Sequence, residues 1–206
     1  MIELRVIEAL VGAMSMHPAS GDLQQCGLQC CAELAGHAKG RELLIQSGAL
    51  ALAMAAMKKW PGHVGIQTAA CASISKLCQG SSRSQLYGVK GGAVKLILKA
   101  SRCHIWVAAL QSTAHEATLC LLAHPAAAQA ILEGRGLQYL LHSLQAHKAD
   151  ATVARASLRL LGALAEMEAI QADLSADDIA VEVCDESVKP LGILALSAAT
   201  LALRWS

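Results

Sequence analysis

The sequence predicts an all-α array of stacked helical units, and three observations carry that expectation. The first is a period. Gly48, Gly92 and Gly136 recur at intervals of 44 and 44, and Leu34, Leu77, Leu121 and Leu164 at 43, 44 and 43. Gln24, Gln67 and Gln111, with Ala154 in the fourth place, keep the same rhythm. Periods of about 40–47 residues mark helical arrays whose units bury their apolar faces only against neighbours. The second is the spacing of apolar residues inside each period, which is that of a helix. The third is composition: 54% of the 206 residues are hydrophobic, yet only 2% are aromatic and Phe is absent. Ala, Leu and Cys supply that surplus and suit close helix packing, whereas a sandwich or barrel wants more aromatic and β-branched residues.

Each glycine anchor is followed by an apolar run: QSGALALAMAAM, VKGGAVKLILKA and EGRGLQYLLHSL. Leu50, Ala53, Met54 and Met57 stand at i, i+3, i+4 and i+7, as do Leu137, Leu140, Leu141 and Leu144, and Ile7, Leu10, Val11 and Met14. Val94, Ile97 and Leu98 match, with Ser101 in the odd place. This is one stripe of a three-turn amphipathic helix. A break follows each run (HPASGD, WPGHVG, RCHI, HKADA), with Pro18 and Pro61 ending the first two helices. A longer helix comes next. Its stripe is Leu28, Cys31 and Leu34, then Cys71, Ile74 and Leu77, then Leu158, Leu161 and Leu164. In the third unit strict spacing selects His115, Thr118 and Leu121, while a one-residue slip selects Leu119 and Leu122. A shorter segment closes each unit: KGRELLIQ, SRSQLYGVK and PAAAQAILE, with Pro125 in the favoured first turn.

Three helices per unit of about 43 residues, with the long helix closing on CCAELAG, SISKLCQG, TLCLLAH and GALAEM, resemble the armadillo repeat. HEAT repeats share the length but use two helices and are the near alternative. The resemblance spans about residues 2–170 and implies a right-handed α-solenoid of about four units, near 1–48, 49–92, 93–136 and 137–170. Residues 171–206 lose the period. ADDIAVEVCDE and PLGILALSAATLALRWS are expected to form a degenerate unit or C-terminal capping helices, as terminal repeats often do, with Asp177–Asp178 able to cap one of them.

In armadillo proteins the long helices line a concave groove. In importin-α-like members, Trp and Asn ladders on those helices clamp an extended peptide. Here the Trp places hold Gln29, Ala72, Glu116 and Arg159, the Asn places hold Glu33, Lys76, Cys120 and Ala163, and the chain contains no Asn. That ladder is missing, so the importin mode of binding does not carry over. The groove expected from the resemblance is mixed in charge, with Gln29, Glu33, Lys76, Glu116, Cys120 and Arg159 as its candidate partner-contacting residues. Glu33 with Lys76, and Glu116 with Arg159, are expected to form exposed ion pairs between units.

The remaining chemistry is sparse. Net charge is +1 and no basic run stands out, which argues against nucleic acid as a direct partner. Glu3 and Glu8 interrupt the N-terminal apolar stretch, unlike a secretory or transit signal. The apolar tail Leu191 to Leu203 has 13 residues and is too short for a membrane span, which needs about 20; a buried terminal helix fits it better. Eight cysteines sit mostly inside apolar stretches, where thiols pack as small hydrophobes, so a reducing cytoplasmic or nuclear setting is expected. CGLQCC, with Cys26 and Cys30 at i, i+4 and His37 beyond, is half of a metal site at most. His115, Glu116 and Cys120 bring a base, an acid and a thiol within two turns, without an orienting group or oxyanion donors. KGG and EGRG lack the strand that a phosphate loop requires. The expectation is a protein-interaction scaffold without catalytic residues, metal or cofactor, holding a partner peptide or helix in the groove or at an exposed end. The alternative is a structural subunit, or part of a longer array, whose bare ends dock on neighbouring subunits.

Overall fold

The structure is a computed structural model and describes residues 2–166. Among them are eleven α-helices and no strand. They run α1 (Ile2–Met16), α2 (Gly21–Leu34), α3 (Ala38–Gln46), α4 (Ala49–Lys59), α5 (Val64–Cys78), α6 (Ser82–Lys90), α7 (Ala93–Cys103), α8 (Ala108–Leu122), α9 (Pro125–Glu133), α10 (Gly136–Ala146) and α11 (Ala151–Ala165). From α4 on, medium helices of 11 residues, long ones of 15 and short ones of 9 alternate in that order, and α1 (15 residues), α2 (14) and α3 (9) take the corresponding places in the first unit. The expected terminal cap over 171–206, its tail from Leu191, and Cys184 lie outside the described residues.

The long helices pack in series, α2 on α5, α5 on α8 and α8 on α11, while α1, α4, α7 and α10 lie beside their own long helix. One continuous core runs through the array from Ile7 to Leu164, with Leu28, Leu50, Ile74, Leu77, Ile97, Leu121 and Ile131 among its members. It exists because each helix carries one apolar stripe and the next unit covers it. In α8 the strictly spaced His115, Thr118 and Leu121 are all buried, whereas of the slipped set Leu119 is half-buried and Leu122 is buried as well.

Two parts of the anchor pattern differ from expectation. The left-handed residue before each medium helix is Gly48 (φ 80°), then Gly92 (φ 82°), then Arg135 (φ 54°). The second interval is therefore 43, and Gly136 is the first helical residue of α10 rather than the turn residue. Gly136 is needed for another reason. A Cβ there would lie 2.5 Å from Ile131 Cγ2 and 3.3 Å from Leu98 Cδ2. The second difference is at the ends. Leu34 is half-buried and Leu158 is 51% exposed, although their equivalents in the inner units are buried. Each of these leucines sits on the first or last described long helix.

The glutamine anchor proves to be a clamp. Gln24 Nε2 donates to the carbonyls of Met14 (2.8 Å) and His17 (3.2 Å). Gln67 repeats this on Met57 (3.0 Å) and Trp60 (2.8 Å), and Gln111 on Ser101 (2.9 Å) and His104 (3.0 Å). In these three units a buried amide from the long helix closes the unpaired carbonyl end of the preceding helix, whose last acceptors have no partner within the helix. Local caps complete the turns. Asp150 accepts from the Thr152 and Val153 amides, Ser81 from Ser84, and Pro125 opens α9.

Candidate interaction surface on the long helices

Serial packing of the long helices brings the same helix position of successive units side by side. Gln29 on α2, Glu116 on α8 and Arg159 on α11 occupy one such row, with Ala72 on α5 between them. Glu33, Lys76 and Cys120 occupy the row one turn further on, with Ala163. Gln29, Glu33, Lys76 and Arg159 are exposed, and Glu116 and Cys120 are half-buried. The six candidate residues therefore share one face, and that face is mixed: two carboxylates, two cations, an amide and a thiol.

The expected ion pairs across this face do not form. Among the described residues neither Glu33 with Lys76 nor Glu116 with Arg159 is within ion-pair distance, whereas Lys95 and Glu133, 3.6 Å apart, pair elsewhere. The cause is solvation: exposed flexible side chains gain little from fixing one geometry. The charges are left facing water. Cys120 instead lies 3.6 Å from the Ser75 hydroxyl of the adjacent long helix.

The other sequence candidates are dispersed by the fold. In CGLQCC, Cys26 and Cys30 are exposed while Cys31 turns into the core. Among the described residues no group of three or more His, Cys, Asp or Glu could hold a metal ion. Burial pushes the Cys31 thiol up to about 11, with the neighbouring Cys30 adding to it, and the Cys71 thiol to about 12. Cys78 also reaches about 12, from burial first and then from Cys120. These three are packing thiols with little thiolate at neutral pH. His115 points away from Cys120: its Nδ1 lies 2.9 Å from the Ser157 hydroxyl of α11. Burial, helped by the charge of His147, holds His115 down to about 4, so it stays neutral at pH 7. His115, Glu116 and Cys120 thus face different surroundings and do not converge on a common point.

A second set of contacts has no counterpart in the sequence pattern. The residue just after each medium helix reaches back to the turn of the preceding unit. Trp60 Nε1 donates to the Pro18 carbonyl (3.4 Å), His104 Nε2 to that of Pro61 (2.8 Å), and His147 Nε2 to that of Ile105 (2.7 Å). A carbonyl only accepts, so each imidazole must carry its proton on Nε2. Trp60, His104 and His147 share one place in the period, but their side chains differ too much for that to show as a motif. Trp106, two residues past His104, is 75% exposed on this turn edge.

No helix among the described residues is long and apolar enough to cross a membrane. No protein-family model matches the chain, and no curated protein matches it. Among solved structures, the chain is similar to an engineered protein determined by a structural genomics consortium, with a TM-score of 0.70 and 21% identity over 96% of this chain and 82% of that one. A second engineered protein aligns with a TM-score of 0.49 and 17% identity over 94% and 98% of the two chains. The first likeness concerns the fold alone, and the second is too distant to bear on it.

Proposed function

We propose that the chain is an armadillo-type, right-handed α-solenoid that serves as a protein-interaction scaffold in the cytoplasm or nucleus. Its partner is an extended peptide segment or helix lying across the long helices. One observation carries this reading: the long helices stack in register and leave the same two rows open in every unit, from Gln29 and Glu33 to Arg159. A surface that repeats at a fixed step suits a ligand that is itself extended. The uncompensated charges of Glu33, Lys76, Glu116 and Arg159 favour a partner that is neither strongly basic nor strongly acidic. With the titratable groups dispersed, the reading contains no catalytic role and no cofactor.

The test is charge reversal. K76E/R159E is compared with the parent chain, first by capture of partners from a cell extract, then by titration of an identified partner segment. Affinity should fall about tenfold, the effect of losing roughly 1.4 kcal/mol at charged contacts, while the thermal midpoint stays within a degree or two. Equal affinity in both chains would remove the partner from this face.

A further inference from the structure

Each junction between long helices joins the same two kinds of face. The Ser73 hydroxyl of α5 donates to the Leu28 carbonyl of α2 (2.7 Å), and the Ser157 hydroxyl of α11 lies 2.9 Å from His115 Nδ1 of α8. Leu28 and His115 hold one place in the period, together with Cys71 and Leu158. The first three are buried, and Leu158 is 51% exposed. Leu161 and Gly162 continue the same side of α11 and are half-buried, whereas their equivalents on α5, Ile74 and Ser75, are buried. A Cβ at Gly162 would meet nothing within 4 Å. The stripe Leu158, Leu161 and Gly162 carries no charge. Among the described residues α11 packs on α8 and α10, and its stripe lacks the cover that the next long helix gives α2, α5 and α8.

Residues 167–206 follow, 40 in number and close to one period. In them the pattern of a long helix returns in register. The side of each long helix that meets the preceding unit carries Ile66, Leu110 and Val153 in one row, and Leu196 stands 43 residues beyond the last of these. The row Ala70, Ala114 and Ser157 leads in the same way to Thr200, and the row Ser73, Ala117 and Leu160 to Leu203. All members of these rows within the described residues are buried. Leu196 and Leu203 repeat the aliphatic bulk of Val153 and Leu160, and Thr200 repeats the small hydroxyl of Ser157. The three stand at i, i+4 and i+7, the spacing of one helical stripe.

We propose that the α11 stripe is the docking site of this chain's own segment 194–206, which adds a further long helix with Leu196, Thr200 and Leu203 turned towards α11. By equivalence with the Leu28–Ser73 and His115–Ser157 contacts, Leu158 lies between Thr200 and Leu203. The connection is long enough: 28 residues separate α11 from residue 194, as 28 separate α8 from α11. The tether also gives the segment a high effective concentration at the stripe, which a separate protein lacks. The α11 end is thereby closed by the chain itself and is not offered to a neighbouring subunit. This docking rests on the stacked-unit reading and not on the open rows of the long helices.

Thiol labelling of the full, reduced chain carrying Leu158→Cys, followed residue by residue by mass spectrometry, tests this directly. The introduced thiol should react at least about tenfold more slowly than the exposed Cys30, because a covered thiol reacts only on opening. Adding Leu196→Asp and Leu203→Asp should raise its rate to that of Cys30, since neither carboxylate can be buried against the stripe. Cys31, Cys71 and Cys78 should stay slow in both proteins, reporting that the stacked units remain folded. Amide exchange in the unsubstituted chain gives a second reading that no substitution can disturb: residues 197–203 should exchange at least about tenfold more slowly than an unstructured peptide. Exchange at the unstructured rate, or an introduced thiol as fast as Cys30 before the aspartates are added, would overturn the proposal and leave the groove reading untouched. Protection that the aspartates do not relieve would place another part of the chain on the stripe. Protection that grows with protein concentration would place a second copy there, and both results also overturn it.

Discussion

The buried Gln67 clamp offers the sharpest test of the packing scheme. Removing its amide by Gln67→Ala leaves the Met57 and Trp60 carbonyls without the donor that now reaches them at 3.0 and 2.8 Å. Each net hydrogen bond contributes about 0.5–1.5 kcal/mol, and a buried acceptor left unpaired costs about 1–3 kcal/mol. Trp60 O also accepts from the His63 amide, so its loss falls at the low end. Together with the small void left by the side chain, the expected destabilisation is about 2–4 kcal/mol. In a protein of this size that is roughly 5–15 °C in thermal midpoint. Gln67→Met keeps the volume but not the donors and should lose most of the same amount, separating hydrogen bonding from packing. The fourth unit supplies the reciprocal experiment. Ala154 stands in the clamp position, half-buried, with the Leu144 and His147 carbonyls at the places equivalent to Ser101 and His104. Ala154→Gln should stabilise the chain by about 0.5–1.5 kcal/mol. Urea unfolding followed by circular dichroism measures all three variants. A loss below about 0.5 kcal/mol in Gln67→Ala would show that the clamp contributes no more than an ordinary surface contact.

Four further outcomes follow from other residues. Leu77, fully buried between units, should cost about 2–5 kcal/mol when cut to Ala, measured by the same unfolding. Thiol titration of the native protein should label Cys26, Cys30 and Cys103 quickly, and Cys31, Cys71 and Cys78 only on opening. His115 is held near 4 in the fold against about 6.5 when unfolded. The unfolded state then binds the extra proton, so stability is full above pH 6.5 and falls by up to about 3 kcal/mol as pH drops towards 4; His115→Leu should flatten that slope. Arg135→Gly relieves a left-handed conformation that costs a side chain about 1–2 kcal/mol, partly offset by glycine's entropy, and should raise stability by about 0.5–1 kcal/mol.

The periodicity made the helices and most of the core legible, because apolar spacing within a helix is set locally. Cys31, Cys71 and Cys78 share their places in the period with Ile74, Leu28 and Ala35, and all six are buried. The strict register in α8 was not decidable from the residues alone. His115 is polar, and only its bond to Ser157, 42 residues away in the chain, makes its burial tolerable. The third turn was misplaced by one residue because glycines flank Arg135 on both sides and the sequence gives no sign of which residue takes positive φ. The exposed face of the long helices was legible as a set of positions. Its ion pairs were not, since side-chain proximity between exposed groups follows from rotamer and solvation preferences that spacing does not encode.

The three ring donors at the turn edge, Trp60, His104 and His147, have a mechanical consequence. Along that edge each joint between units is latched by one bond, part-exposed or exposed, worth about 0.5–1.5 kcal/mol. Along the long helices the same joint is closed by core residues whose separation would wet a large apolar area. Bending is therefore anisotropic. Like a leaf spring bolted along one margin, the molecule fans open at the turns well before its long helices part.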